Sequence, residues 1–168
     1  MAGDGEAGMN NAPEWLPEAL RYSDFNGEWD RFLVNVYEIF ERDFKKSRPS
    51  YEGFSLKYDS RIEDGKEAVF WHLTSQYDEK TGNREMDLRR CELIPWPSPI
   101  IEHSQDKQLS VWKNKRGKEI RILLWLEGMD YLVVLKESRN TVILLTAYCT
   151  DRDHTRNKLR SERKIALK

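Results

Sequence analysis

Two cysteines, three histidines and no long apolar run set the first limits on this 168-residue chain. Cys91 and Cys149 lie 58 positions apart and in no metal-ligand spacing. The start of the chain carries no basic segment followed by an apolar one, so a cytoplasmic protein with reduced thiols is expected. No apolar stretch approaches the roughly 18 residues that a membrane span requires. Neither a zinc-ligand spacing nor a clear acidic metal cluster is present, so no metal and no cofactor is implied.

What the sequence does hold is aromatic and charged. Charged residues make up 34% and aromatics 11%; the aromatic load is too high for a disordered chain, and the length suits one domain with a real core. The net charge of −1 hides an asymmetry. Met1–Asp30 has seven acidic residues against one basic, and Arg152–Lys168 has seven basic against two acidic. Residues 1–24 are expected to be a disordered acidic leader, of which Pro13–Asp24, with the apolar anchors Trp15 and Leu16, either is poorly packed or lies extended along the body, and 25–168 a single α+β domain.

Four apolar runs between Val111 and Thr150 contain no proline and are separated by turn clusters at Asn114–Gly117, Glu127–Asp130 and Ser138–Asn140. This pattern predicts a four-stranded antiparallel meander. The central runs, Ile120–Leu126 and Tyr131–Leu135, are apolar on both faces and should be covered on both sides. Before them, Trp29, Phe32, Leu33, Val36, Phe40 and Phe44 recur at helical spacing, predicting a helix over Glu28–Phe44 that packs on the sheet. Phe54–Tyr58 alternates like a strand, and Ala68–Ser75 reads as a second strand, pairing with it as a hairpin, or as a short helix. Gln76–Asn83 reads as a loop and Arg84–Leu93 as a short arginine-bearing helix stopped by Pro95. Asp151 is expected to cap a C-terminal helix running to about Leu167.

Chemistry gathers at the polar margins. His72 ends an apolar run and is followed by Thr74 and Ser75, a setting that suits acid–base work. Thr146 and Tyr148 share a strand face with Thr150, while His154 and Lys158 are four apart on the last helix. Lys113, Lys115, Arg116 and Lys118 crowd the first turn of the meander, and Arg156, Arg160, Arg163 and Lys164 form a basic stripe on the helix. Cations in such places can hold a phosphate backbone without reading bases.

The order of these parts resembles the barnase–EndoU–colicin–RelE superfold of ribonucleases. Within it, Phe70-Trp71-His72-Leu73-Thr74-Ser75, the Arg89-Arg90 pair, Pro95-Trp96 and Leu145-Thr146-Ala147-Tyr148 resemble phage- and mobile-element-associated members. The resemblance spans about Phe54–Leu167, although the dense basic face of free toxins is missing. It implies metal-independent RNA cleavage by attack of the ribose 2′-hydroxyl on the adjacent phosphate. His72 would be base or acid with His154 as its partner, Arg90 would stabilise the phosphorane, and Thr146 and Tyr148 would orient the phosphate. RNA is then the expected partner, with Lys113, Lys115, Arg116, Lys118, Arg156, Lys158 and Arg160 along its backbone. The alternative is a non-catalytic module that binds nucleic acid or protein through the basic helix, as an adaptor or antitoxin would.

Overall fold

The computed structural model describes residues 12–166. The first of them are docked: the Trp15 indole donates to Asp106 Oδ2 at 2.8 Å and stacks on His103 at 4.5 Å, and Leu20 N bonds to Glu92 O at 2.8 Å. The expected leader is therefore packed from Ala12 to Asp24, because Trp15, Leu16 and Leu20 reach the main core. Met1–Asn11 lie outside the described residues.

A long aromatic helix, α1 (Trp29–Phe40), buries Phe32, Val36 and Phe40, and a π-helical turn over Glu41–Lys46 carries Phe44 into the same core. Two short strands follow, β1 (Ser50–Tyr51) and β2 (Phe54–Tyr58), then a small hairpin of β3 (Ile62–Glu63) and β4 (Lys66–Glu67). Ala68–Thr74 is helix α2 rather than a strand. Its buried Val69, Phe70 and Leu73 follow the helical repeat, which a strand would split between two faces.

Next come β5 (Ser75–Asp78) and β6 (Asn83–Met86), a hairpin where a loop and the start of a helix are expected from the sequence. The arginine-bearing helix is only α3 (Leu88–Glu92), capped by the Asp87 carboxylate accepting from Arg90 N at 3.1 Å. A second short helix, α4 (Pro97–Glu102), begins on a proline, the residue best suited to a first turn, and buries Ile100 and Ile101.

The four meander strands are β7 (Ser110–Arg116), β8 (Glu119–Leu126), β9 (Tyr131–Ser138) and β10 (Thr141–Cys149), each antiparallel to the next. The sheet is larger than the expected four strands. It has six, in the order β1-β2-β10-β9-β8-β7, with β2 parallel to β10. The expected hairpin of Phe54–Tyr58 with Ala68–Ser75 does not form. Instead β2 completes the free edge of β10, where the register sets buried Leu56 against buried Val142.

Both faces of the central strands are covered. Ile122, Leu124, Leu126, Tyr131, Val133 and Leu135 face α1, α2 and α4 in the main core. Trp112, Leu123, Trp125, Leu132 and Val134 face the other way, onto the last helix, α5 (Asp153–Lys164). α3 does not take part in that second covering and buries Cys91 in the main core instead. α5 has Arg152 at its N-cap and no side-chain cap, so Asp151 does not take the role expected of it. Leu167 lies outside the described residues. Among those described, no helix is long and apolar enough to cross a membrane.

Leu159 is the one fully inserted apolar side chain of α5, 3% exposed. Leu159→Ala should therefore cost about 2–4 kcal/mol, mostly through the cavity left against Trp125 and Leu132. In a domain of this size that lowers the thermal midpoint by roughly 5–15 °C. A midpoint within 2 °C of the parent in calorimetry would show that α5 is held by its ion pairs instead.

Candidate active site

His72 sits in the last turn of α2, where a helix leaves carbonyls without internal partners. Side chains from two other elements supply them. Thr146 Oγ1 of β10 donates to His72 O at 2.8 Å. Arg90 of α3 donates through Nη1 to His72 O at 3.2 Å and to Ser75 O at 2.8 Å. Its guanidinium also covers the Tyr148 ring, 5.5 Å from the centroid. The helix end, β10 and α3 are thus fastened at one point, and Arg90 is a clamp on backbone.

Thr146 reaches that point because of a bulge. The pairing of β10 with β9 runs Leu144↔Leu135 and then Thr146↔Val134, skipping Leu145. Leu144 therefore faces the main core, while Thr146 and Tyr148 turn to the α5 side. A bulge of this kind re-aims one side chain in an otherwise regular strand. Thr150 does not extend the polar face: it is fully buried and its hydroxyl accepts from the Trp125 indole at 2.9 Å.

The His72 ring is held by Arg84 of β6, whose Nη2 lies 2.7 Å from Nδ1. A guanidinium has donors only, so Nδ1 must accept and the proton must sit on Nε2. Burial, and then the nearby Arg84 charge, push the imidazole below the usual histidine range. In this arrangement His72 is neutral and offers an N–H; its one free lone pair is already occupied. A donor to an anionic oxygen fits this state, and the expected base does not.

Between the sheet and α5 lies a cavity of about 630 Å³, lined by His72, Thr146, Tyr148, His154 and Lys158, all singled out by the sequence. Leu123, Val134 and Ile143 form part of its floor. Three cations reach it, Arg116, Arg121 and Lys158, with the carboxylates Asp59 and Glu162. Asp59 is held by a fork from Arg61, at 2.6 and 2.9 Å, which keeps its carboxyl down at about 2. Glu162 accepts from Asn114 at 2.9 Å and pairs with Arg116 at 3.6 Å. Lys158 and His154 have no hydrogen bond or ion pair among the described residues, and Arg121 Nε is buried without an acceptor. Burial raises the Tyr148 phenol, with Glu162 adding to the effect, so it keeps its proton at neutral pH. The cavity thus offers unspent donors and a protonated phenol to an anion.

The remaining expected residues stand elsewhere. Arg90 does not line this cavity. Arg156 is bound to Asp130 Oδ2 at 2.8 Å and Thr150 O at 3.2 Å, and Arg160 reaches Glu127 at 3.4 Å. With Arg163 on Glu127 at 3.2 Å, the basic stripe fastens α5 to the β8–β9 connection. Lys113 pairs with Glu137 across the sheet, and Lys115 and Lys118 are exposed on the β7–β8 turn. Sequence reasoning misses Arg121 as a site residue, although a charge inside the apolar run Glu-Ile-Arg-Ile is a signal. It also gives Arg84 no role beside His72, since the β5–β6 hairpin that joins them is not visible in the chain. Among the described residues, no three of His, Cys, Asp and Glu stand together to hold a metal ion.

A pH titration checks the His72 state. A depressed folded value means that its contribution to stability is full above the unfolded value of about 6.5 and is lost as pH falls through the lower folded one. Nitrogen NMR should show the Nε2–H tautomer and a midpoint below that of free histidine, and Arg84→Met should raise the midpoint. A wild-type midpoint at or above about 6.5 would contradict the geometry.

Compared with protein-family models, curated proteins and solved structures, the chain matches none.

Proposed function

We propose that this protein is an endoribonuclease-like enzyme that cleaves RNA without a metal, using the cavity between the sheet and α5. The observation that supports the reading is the meeting of two histidines, a protonated phenol and three cations in one cleft of about 630 Å³. Neither ring nitrogen of His154 has a partner among the described residues, so this imidazole is available to take the proton of a ribose 2′-hydroxyl. The 2′-oxygen then bonds to phosphorus and the bond to the 5′-oxygen breaks. The Tyr148 phenol gives its proton to that leaving oxygen, and proton transfer from the His154 imidazolium through solvent restores both groups. Arg121 and Lys158 balance the charge that builds on the phosphorane, and His72 Nε2–H donates to a non-bridging oxygen. The products are a 2′,3′-cyclic phosphate and a free 5′-hydroxyl. In this scheme Thr146 and Arg90 position His72 through its carbonyl and do not touch the phosphate.

One observation favours a second reading, binding without cleavage. The Arg84 bond removes His72 as a base and leaves only His154 for that task. Labelled RNA incubated in EDTA separates the two. Cleavage to cyclic-phosphate ends is expected, and His154→Ala and Tyr148→Phe should each lower the rate by about 10²–10⁴, the usual share of a general acid or base. RNA that is bound but left intact would support the binding module. Cleavage that survives both substitutions would remove these two residues from the chemistry.

A further inference from the structure

A second cleft, of about 350 Å³, lies beyond Tyr148 and Thr155, two residues that also line the first. Its other walls carry Arg89, Arg90 and Arg152 from α3 and the start of α5, with the carboxylates Asp87 and Asp151. The three arginines differ in how much they have left to give. Arg152 is exposed and has no partner among the described residues. Among the described residues Arg89 reaches only Glu92, at 3.5 Å along its own helix, and keeps 59% of its side chain exposed. Arg90 spends Nη1 on backbone, and its buried Nε, which makes no hydrogen bond, lies 3.7 Å from Asp87 Oδ2 in an ion pair. Asp87, by contrast, is already engaged: Oδ1 accepts from Arg90 N at 3.1 Å and Oδ2 from the Gln76 amide at 2.5 Å.

We propose that this cleft is a second phosphate subsite, contiguous with the first, so that the ligand is an RNA strand laid across Tyr148 with successive phosphates on either side. The inference rests on the RNA reading above and extends it, from a single scissile phosphate to a strand of at least three nucleotides. Charge alone would not distinguish a strand from a free anion; continuity does. Tyr148 and Thr155 belong to both clefts, so a chain leaving the first enters the second without crossing the apolar α5 interface. Arg89 and Arg152 hold the backbone without reading bases, which predicts affinity that grows with strand length and little sequence preference at this position. Arg90 is bound to the α2 end and is unsuitable as a probe.

Non-cleavable 2′-O-methyl oligonucleotides measure this directly on the full chain. A tetranucleotide should bind more tightly than a dinucleotide. The double variant Arg89→Ala, Arg152→Ala should lose roughly tenfold in tetranucleotide affinity, as charged hydrogen bonds are removed, with dinucleotide affinity within twofold of wild type. Its salt slope for the tetranucleotide should fall by about 0.7 for each phosphate that is no longer neutralised. Lys158→Ala should weaken both ligands. If the double variant binds the tetranucleotide like wild type while Lys158→Ala still weakens the dinucleotide, the second subsite is refuted and the first reading stands. If neither oligonucleotide binds wild type, both are refuted.

Discussion

The carbonyls that end α2 are the point on which the rest of the site depends. A seven-residue helix has too few internal hydrogen bonds to hold its own last turn, and an unpaired buried carbonyl is costly. Thr146 from the sheet and Arg90 from the next helix satisfy them. The same bonds fix where His72 projects, which strand faces it and which ring Arg90 covers. Thr146 can do this only because β10 carries a bulge, and α3 only because Asp87 caps it. A polar requirement local to one helix therefore organises three elements around one histidine.

Electrostatics divide the basic residues into two groups with different uses. Arg156, Arg160 and Arg163 are bound to Asp130 and Glu127 and hold α5 against the sheet, where Leu159 supplies the apolar contact. Among the described residues Lys158 and Arg152 lack such partners, and Arg121, paired with Glu119 at 3.6 Å, keeps its Nε unspent; all three line clefts. A net charge near zero is compatible with an anion-binding surface when the acids are used for internal fastening. Counting lysines and arginines along α5 does not separate the two groups; their partners do.

Much of the scaffold is legible in the chain. Proline-free apolar runs between turn clusters mark the strands of the meander, and the aromatic repeat marks α1, because both patterns record what is buried. The pairing of His154 with Lys158 on one helix face is legible for the same reason. Less local features are not. Nothing in Phe54–Tyr58 says that its partner is β10, more than eighty residues on, and the apolar run Ala68–Ser75 fits a strand or a helix until its neighbours are known. Arg90 has the chemistry of a phosphate ligand and is a backbone clamp, since a side chain's partner depends on elements that the local sequence does not name.

The sequence by itself determined the elements that carry a strong repeat, the two-sided burial of β8 and β9, and the shared helix face of His154 and Lys158. Tertiary structure alone decided that β2 lies parallel to β10, that a bulge turns Thr146 toward His72, and that Arg84 fixes the proton on Nε2. The division has a physical cause. Burial periodicity is written along a few neighbouring residues, whereas hydrogen-bond partners and tautomers are set by groups brought together from 12 to 74 positions apart.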